Sequence, residues 1–144
     1  TMGFALPAAM GAQVGKMNEK TVAIAGDGGI QMTIQELGTI FQYNIPLKII
    51  VLNNNFLGMV RQWQQLFFEK RYSFTEMVNP DFVKIADGYG IPTKRVSERA
   101  ELQSALQEMY DSEGPYFLEV KVEMEENVFP MVPSGDSVSN IRLE

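Results

Sequence analysis

Asp27 stands between glycines, with Gly26 before it and Gly28 and Gly29 after it, directly behind the apolar run Thr21 to Ala25. A carboxylate in that setting can coordinate a hard cation, and the glycines allow backbone N–H groups to approach an anion. A second polar cluster, Asn53, Asn54 and Asn55, follows the apolar run Lys48 to Leu52. Asn54 offers a neutral carbonyl oxygen. One carboxylate, one amide and one or two backbone carbonyls suit Mg²⁺ that already carries a diphosphate, because the diphosphate completes the oxygen shell. By itself Gly26-Asp27-Gly28 is equally well a plain turn, and the asparagines a plain loop. The third glycine of the dinucleotide fingerprint is missing, and no Gly-Lys-Ser/Thr follows to make a P-loop.

The rest of the chemistry is narrowed by what the 144 residues lack. There is no cysteine and no histidine. Disulfides, thiolate nucleophiles, Cys- or His-bound metals and histidine general bases are therefore excluded within this chain. With 12 basic and 18 acidic residues the formal net charge is -6, which argues against non-specific nucleic-acid binding. The apolar opening, Thr1 to Gly15, has no basic leader and is interrupted by Pro7. It reads as neither a signal peptide nor a membrane span, and no membrane association is expected. Its abrupt start suggests a piece of a longer protein.

These residues need elements to position them. Thr21–Ala25, Lys48–Leu52 and Tyr116–Val122 read as buried strands, and Pro92–Val96 as a weaker one. Between them run helical patterns. Thr33 and Glu36 have capping-box spacing ahead of Ile34, Leu37, Ile40 and Phe41, and Asn44 with Pro46 stops that helix. Leu57–Phe68 has helical character. Asn79-Pro80-Asp81 reads as a cap, a first-position proline and a first-turn acid for a helix that ends at Gly88 or Gly90. Ser97 reads as the cap of a helix whose Leu102, Ala105, Leu106, Met109 and Tyr110 share one face. Strands alternating with helices imply an α/β, three-layer α/β/α domain with a mainly parallel sheet, covered on both faces. Ligands then sit beyond the carboxyl ends of the strands, where both polar clusters fall. Residues 1–122 form the binding domain, and 123–144 a surface tail of the same domain.

Taken together, Gly26-Asp27-Gly28 and, 24 residues later, Asn53-Asn54 resemble the signature of thiamine-diphosphate enzymes. The stretch from Asn53 to Phe68, with Gly58-Met59-Val60-Arg61-Gln62-Trp63, narrows the resemblance to the catalytic subunit of acetohydroxyacid (acetolactate) synthases. Thr1 to Ala9, Asn79 to Phe82 and Glu126 to Gly135 agree with it. The likeness covers essentially the whole chain and corresponds to the carboxyl-terminal, diphosphate-binding third of that subunit.

The resemblance implies a thiamine-diphosphate-binding fold and thiamine diphosphate with Mg²⁺ as cofactors. FAD is expected in the intact enzyme, bound mainly by another domain. Asp27, Asn54 and the backbone carbonyl of Phe56 match the metal ligands. Asn55 is the neighbour most easily mistaken for Asn54. Met2, Gly26, Gly28, Gly29, Met32, Leu57, Gly58 and Met59 match positions beside the cofactor. Gly29 carries serine in many relatives, so one hydroxyl contact is absent here. Met59, Val60 and Trp63 match the substrate pocket. Met59, Trp63 and Phe67 share a helix stripe, where Phe67 reads as core. Arg61 could reach substrate, although nothing in the residues requires it. Ser134 matches a position near the channel mouth, with an ordinary exposed loop serine as the alternative. No catalytic residue is expected in this chain, because the glutamate that drives proton relay belongs to another domain of a neighbouring subunit.

The implied reaction joins pyruvate to a second 2-ketoacid, pyruvate or 2-ketobutyrate, with loss of CO₂, in branched-chain amino-acid biosynthesis. Implied partners are a second copy or three more copies of the full subunit and a regulatory small subunit, in the cytoplasm. The alternatives are another enzyme of the superfamily, of pyruvate oxidase or decarboxylase type, and a non-catalytic metal-binding or oligomerisation module.

Overall fold

The computed structural model describes residues 1–143. Four parallel strands, β1 (Val22–Gly26), β2 (Lys48–Asn53), β3 (Thr93–Val96) and β4 (Tyr116–Lys121), form one sheet in the order β1-β2-β4-β3. Among the described residues six helices surround it: α1 (Ala5–Gly15), α2 (Asp27–Gln31), α3 (Glu36–Gln42), α4 (Gly58–Phe67), α5 (Phe82–Gly88) and α6 (Arg99–Asp111). Gly26 is in register with Leu52, and Asn53 with Lys121, so β1, β2 and β4 end along one rim.

Strand order decides which face each helix covers. A parallel crossover is almost always right-handed. The steps β1→β2 and β2→β3 move one way across the sheet, and β3→β4 moves back. The return crossover must therefore place its helix, α6, on the opposite face. On the first face Ala23, Ala25, Ile49, Val51 and Phe117 pack with Leu6, Ile30, Leu37, Ile40 and Phe82 into the main core. A fully buried Leu, Ile or Phe contributes about 1.5–3 kcal/mol, so this layer dominates stability. On the second face Ala105 and Met109 of α6 cover Val96, Leu118 and Val120. That cover stops short of β1, where Val22 and Ile24 remain 40% and 60% exposed. The expectation of a sheet covered on both faces thus holds across β3 and β4 but not at β1.

Local readings differ from the structure at five places, the first of them α2, a short helix that its glycines gave no cause to expect. Helix α1 was not expected, because its apolar residues run all round it and leave no amphipathic stripe. Pro7 sits in its first turn, where a missing N–H breaks no bond. Buried Gln13 ties its end to β1, donating to the carbonyls of Lys16 and Glu19 and accepting from Thr21 N–H at 2.9 Å. Thr33 makes no capping box. Helix α3 begins later, at Glu36, and the Thr33 hydroxyl turns toward Gly3 O instead. Asp81, not Asn79, caps α5, accepting from Lys84 N–H. Glu98, not Ser97, precedes α6. Among the described residues no helix is long and apolar enough to cross a membrane.

Candidate functional site at the strand ends

Asp27 is the first residue of α2 and follows the last residue of β1 with no loop between them. Burial at the sheet rim leaves its side chain 2% exposed. Its Oδ1 accepts from Gly28 N–H at 3.0 Å. Its Oδ2 accepts from Asn55 N–H at 2.8 Å and from Asn79 Nδ2 at 2.7 Å. Oδ1, with one protein donor, keeps the freer oxygen lone pair.

The three asparagines after β2 do three different things. Asn53 is buried, and its Nδ2 donates to Glu119 Oε1 at 2.7 Å. Asn54 lines the groove beside Asp27, and its Oδ1 accepts from Phe56 N–H at 3.1 Å. Asn55 makes the turn at φ 59°, a left-handed conformation that asparagine tolerates. The turn is pinned from outside by Leu57 N–H on Thr75 O at 2.7 Å and Met77 N–H on Asn55 O at 2.8 Å. Of the two neighbours that sequence could confuse, only Asn54 lines the groove; Asn55 braces Asp27 from behind through its N–H.

Behind the rim lies a charged cluster. Glu119 of β4 is fully buried and pairs with Arg95 Nε at 2.6 Å and Lys121 Nζ at 3.0 Å. Burial pushes its carboxyl up, but hydrogen bonds from Arg95, Asn53 and Lys121 outweigh that and hold it below the usual range. The Arg95 hydrogen bond likewise holds the Asp81 carboxyl down, at an Arg95 Nη2 distance of 2.6 Å.

The groove itself has a volume of about 750 Å³. Met2, Gly26, Asp27, Gly28, Gly29, Asn54, Phe56, Leu57, Gly58, Met59 and Val60 all line it, although they come from three separate stretches of chain. Met32 and Trp63 do not line it. Met32 is exposed beside Gly3, and the Trp63 ring lies 4.8 Å from that of Phe67. A Cβ at Gly28 would stand 3.0 Å from Leu57 Cδ2 and 3.2 Å from Met2 Cε, so the wall there admits only glycine without displacement. One further wall was not foreseen: Glu123, Glu126, Asn127 and Val128, from the stretch read as a surface tail. Arg61 is fully buried and points at that stretch, its Nη2 donating to Glu126 O and Asn127 Oδ1. Ser134 is exposed.

Asn79 is the residue that sequence reasoning assigned wrongly. Besides Asp27 its Nδ2 faces Asn53 Oδ1 at 2.9 Å and Asn55 Oδ1 at 3.3 Å, and its Oδ1 accepts from Gln31 Nε2 at 2.9 Å. The local signal before Pro80 is the same for a helix cap and for this role.

The donor groups lining the groove are oxygens, from the carboxylates of Asp27, Glu123 and Glu126, the amides of Asn54 and Asn127, and the backbone. That chemistry suits a hard cation such as Mg²⁺ and no soft metal. Among the described residues no cluster of three acidic side chains exists to hold a cation alone. The groove lining also contains no Lys or Arg. An anion there would need a cation, and a cation there would need further anionic oxygens. The residues thus fit a metal–diphosphate pair better than either partner alone.

Comparison with known proteins agrees with this chemistry. The family described as thiamine pyrophosphate enzyme, C-terminal TPP binding domain, matches residues 1–120. The chain is 50% identical over 142 residues to the acetolactate synthase isozyme 2 large subunit of Escherichia coli, covering 98% of this chain and 26% of that one. It is 48% identical over 143 residues to the mitochondrial acetolactate synthase of Schizosaccharomyces pombe, covering 99% and 21%. Among solved structures, the thiamine diphosphate-dependent 4-hydroxybenzoylformate decarboxylase of Rhodococcus jostii superposes with a TM-score of 0.80 at 30% identity, over 88% of this chain and 24% of that one. The chain therefore spans about a quarter of the length of these relatives. The groove, its oxygen donors and the match over residues 1–120 lead to one conclusion: this chain belongs to the family of C-terminal TPP-binding domains of thiamine pyrophosphate enzymes.

Proposed function

We propose that the groove holds the diphosphate end of thiamine diphosphate together with Mg²⁺, and that the protein carrying this chain is an acetolactate synthase. It would join pyruvate to pyruvate or 2-ketobutyrate with release of CO₂. The observation that carries the reading is the meeting of Asp27 and Asn54 in one groove that has no basic side chain. Identity near 50% to acetolactate synthase large subunits, against 30% to the decarboxylase, favours ketoacid condensation over the decarboxylase alternative.

When bound, the thiamine ring supplies the carbanion chemistry that these side chains lack. Asp27, Asn54 and the Phe56 carbonyl would hold the metal. Gly26, Gly28 and Gly29 keep the wall bare of side chains, so the diphosphate can approach the backbone. Met2, Leu57, Gly58 and Met59 line the path away from the metal, and Met32 would close the outer edge. Met59 and Val60 present apolar surface to substrate, and Trp63, one turn beyond Met59, extends that face of α4. A dry apolar pocket disfavours a bound carboxylate relative to its neutral decarboxylated product. Residues 1–122 act as the binding domain and 123–144 as its tail. With this reading go FAD, held mainly outside this chain, a homodimer or homotetramer of the full subunit, a regulatory small subunit and a cytoplasmic location. The general base lies outside these residues, so the chain alone is inactive.

Calorimetric titration of the intact protein with thiamine diphosphate, with and without Mg²⁺, tests the site. Uptake is expected only with the cation. Acetolactate formation from pyruvate tests the reaction. Cation-independent uptake, or CO₂ release without condensation, would refute the respective half.

A further inference from the structure

Asn79, Pro80 and Asp81 are consecutive, and both ends of the tripeptide enter one hydrogen-bonded circuit. From Asn79 Nδ2 the path runs to Asn53 Oδ1 at 2.9 Å, and from Asn53 Nδ2 to Glu119 Oε1 at 2.7 Å. Glu119 Oε2 meets Arg95 Nε at 2.6 Å, and Arg95 Nη2 meets Asp81 Oδ1 at 2.6 Å. Asp81 then closes the circuit through Pro80. The sheet makes it possible: Arg95 and Glu119 are register partners on β3 and β4, and Asn53 stands at the end of β2 beside them. Strands β2, β3 and β4 and the start of α5 are thereby tied to one side-chain amide.

Within the circuit the carboxylates of Glu119 and Asp81 are paired with Arg95 and Lys121, and Asp81 also meets exposed Lys84 at 3.5 Å. What it delivers to Asp27 is one neutral donor, Asn79 Nδ2, at 2.7 Å from Oδ2. With Asn55 N–H on the same oxygen, Oδ2 is engaged twice, and Oδ1 only by Gly28 N–H. Such a carboxylate is held against rotation and presents one oxygen.

We propose that Asn79, held by the circuit through Asn53, Glu119, Arg95 and Asp81, is a positioning residue that fixes Asp27 as a single-oxygen ligand and so sets the site's preference for a small octahedral cation. The inference rests on the reading of Asp27 as a metal ligand. Mg²⁺ demands near-ideal octahedral geometry with short bonds, whereas Ca²⁺ accepts more ligands and bidentate carboxylates. An Asp27 released from Asn79 can turn to offer both oxygens. That change penalises Mg²⁺ and spares Ca²⁺.

The test is calorimetric uptake of thiamine diphosphate by the intact protein, titrated separately with MgCl₂ and CaCl₂. In Asn79→Ala the Mg²⁺ requirement is expected to rise about tenfold, the scale of losses when a group supporting a metal ligand is removed, and the Ca²⁺ requirement to change much less. The Mg²⁺:Ca²⁺ ratio is the readout, because general loosening of the fold would weaken both ions together. Should Asn79→Ala fail to fold, Asn79→Leu, close in shape and without a donor, serves the same comparison. A proportional loss for both ions, or no loss, overturns the proposal. Wild-type uptake that needs neither cation refutes the metal reading itself, which is a separate failure visible before any variant is made.

Discussion

Gln62 and Val128 exchange two hydrogen bonds, as residues of adjacent strands do: Gln62 Nε2 donates to Val128 O at 3.0 Å, and Val128 N–H donates to Gln62 Oε1 at 2.8 Å. Gln62 is 1% exposed, on the helix that also contributes Met59 and Val60 to the groove. That amide fastens the Val128 end of the wall to α4, and Arg61 on the same helix holds Glu126 and Asn127. Gln62→Leu should loosen the wall at Val128 while preserving the sheet. The expected cost is about 1–2 kcal/mol, since the freed groups of exposed Val128 can turn to water. Hydrogen exchange checks it. Val128 N–H should lose protection, and the β4 amides should keep theirs.

Asp27 should matter more than Asn54. It brings the only formal negative charge among the implied metal ligands, whereas Asn54 brings a dipole. Asp27→Ala is expected to abolish Mg²⁺-dependent uptake of thiamine diphosphate. Asn54→Ala should weaken it roughly tenfold, or about 1.4 kcal/mol. Calorimetry on the intact protein measures both, and unchanged affinity in Asp27→Ala would remove Asp27 from the metal site.

Gly28→Ala should separate stability from binding. The added methyl meets Leu57 Cδ2 and Met2 Cε, the far ends of flexible side chains that line the groove. Those ends can shift, and in a helical turn alanine lowers the entropy of the unfolded chain, a gain of about 0.4–1 kcal/mol where it fits. The melting temperature should thus hold or rise slightly, while affinity for thiamine diphosphate falls because both displaced side chains narrow the groove. Affinity equal to that of the parent protein would mean that the cofactor does not pass this wall.

Acid sensitivity should be traceable to Arg95. Its hydrogen bonds to Asp81 and Glu119 help to hold both carboxyls below their unfolded values. A carboxyl depressed by folding contributes stability above its unfolded pKa, about 4. That contribution is lost as pH falls through the lower folded value. Arg95→Gln removes the main partner of Asp81 and one of three partners of Glu119, so its acid-unfolding midpoint should move to higher pH. Circular dichroism through an acid titration measures the shift. Coincident acid midpoints for the two proteins would show that the circuit does not govern this transition.

Much of the site was legible in sequence because the signals are local. Thr21–Ala25 and Lys48–Leu52 are apolar, β-branched runs that read as strands, and a parallel sheet puts the polar residues after them at one rim. That geometry brought Asp27 and the asparagine run to one rim, and the resemblance to thiamine-diphosphate enzymes singled out Asp27 and Asn54. Helix α1 was not legible, since a segment apolar on every side has no periodicity to read. Asn79 was misread because Asn-Pro-Asp offers the same local pattern to a helix cap and to a rim amide. Its partners Asp27 and Asn53 lie 52 and 26 positions away, and Glu119, reached through Asn53, lies 40 away; only the strand register brings them together. The same holds for the bare face of β1. Alternation of strands and helices specifies a parallel sheet, but the order β1-β2-β4-β3 sends just one crossover helix to the second face. Chain-local preferences act over a few residues, whereas strand order is settled by which distant apolar surfaces bury one another best.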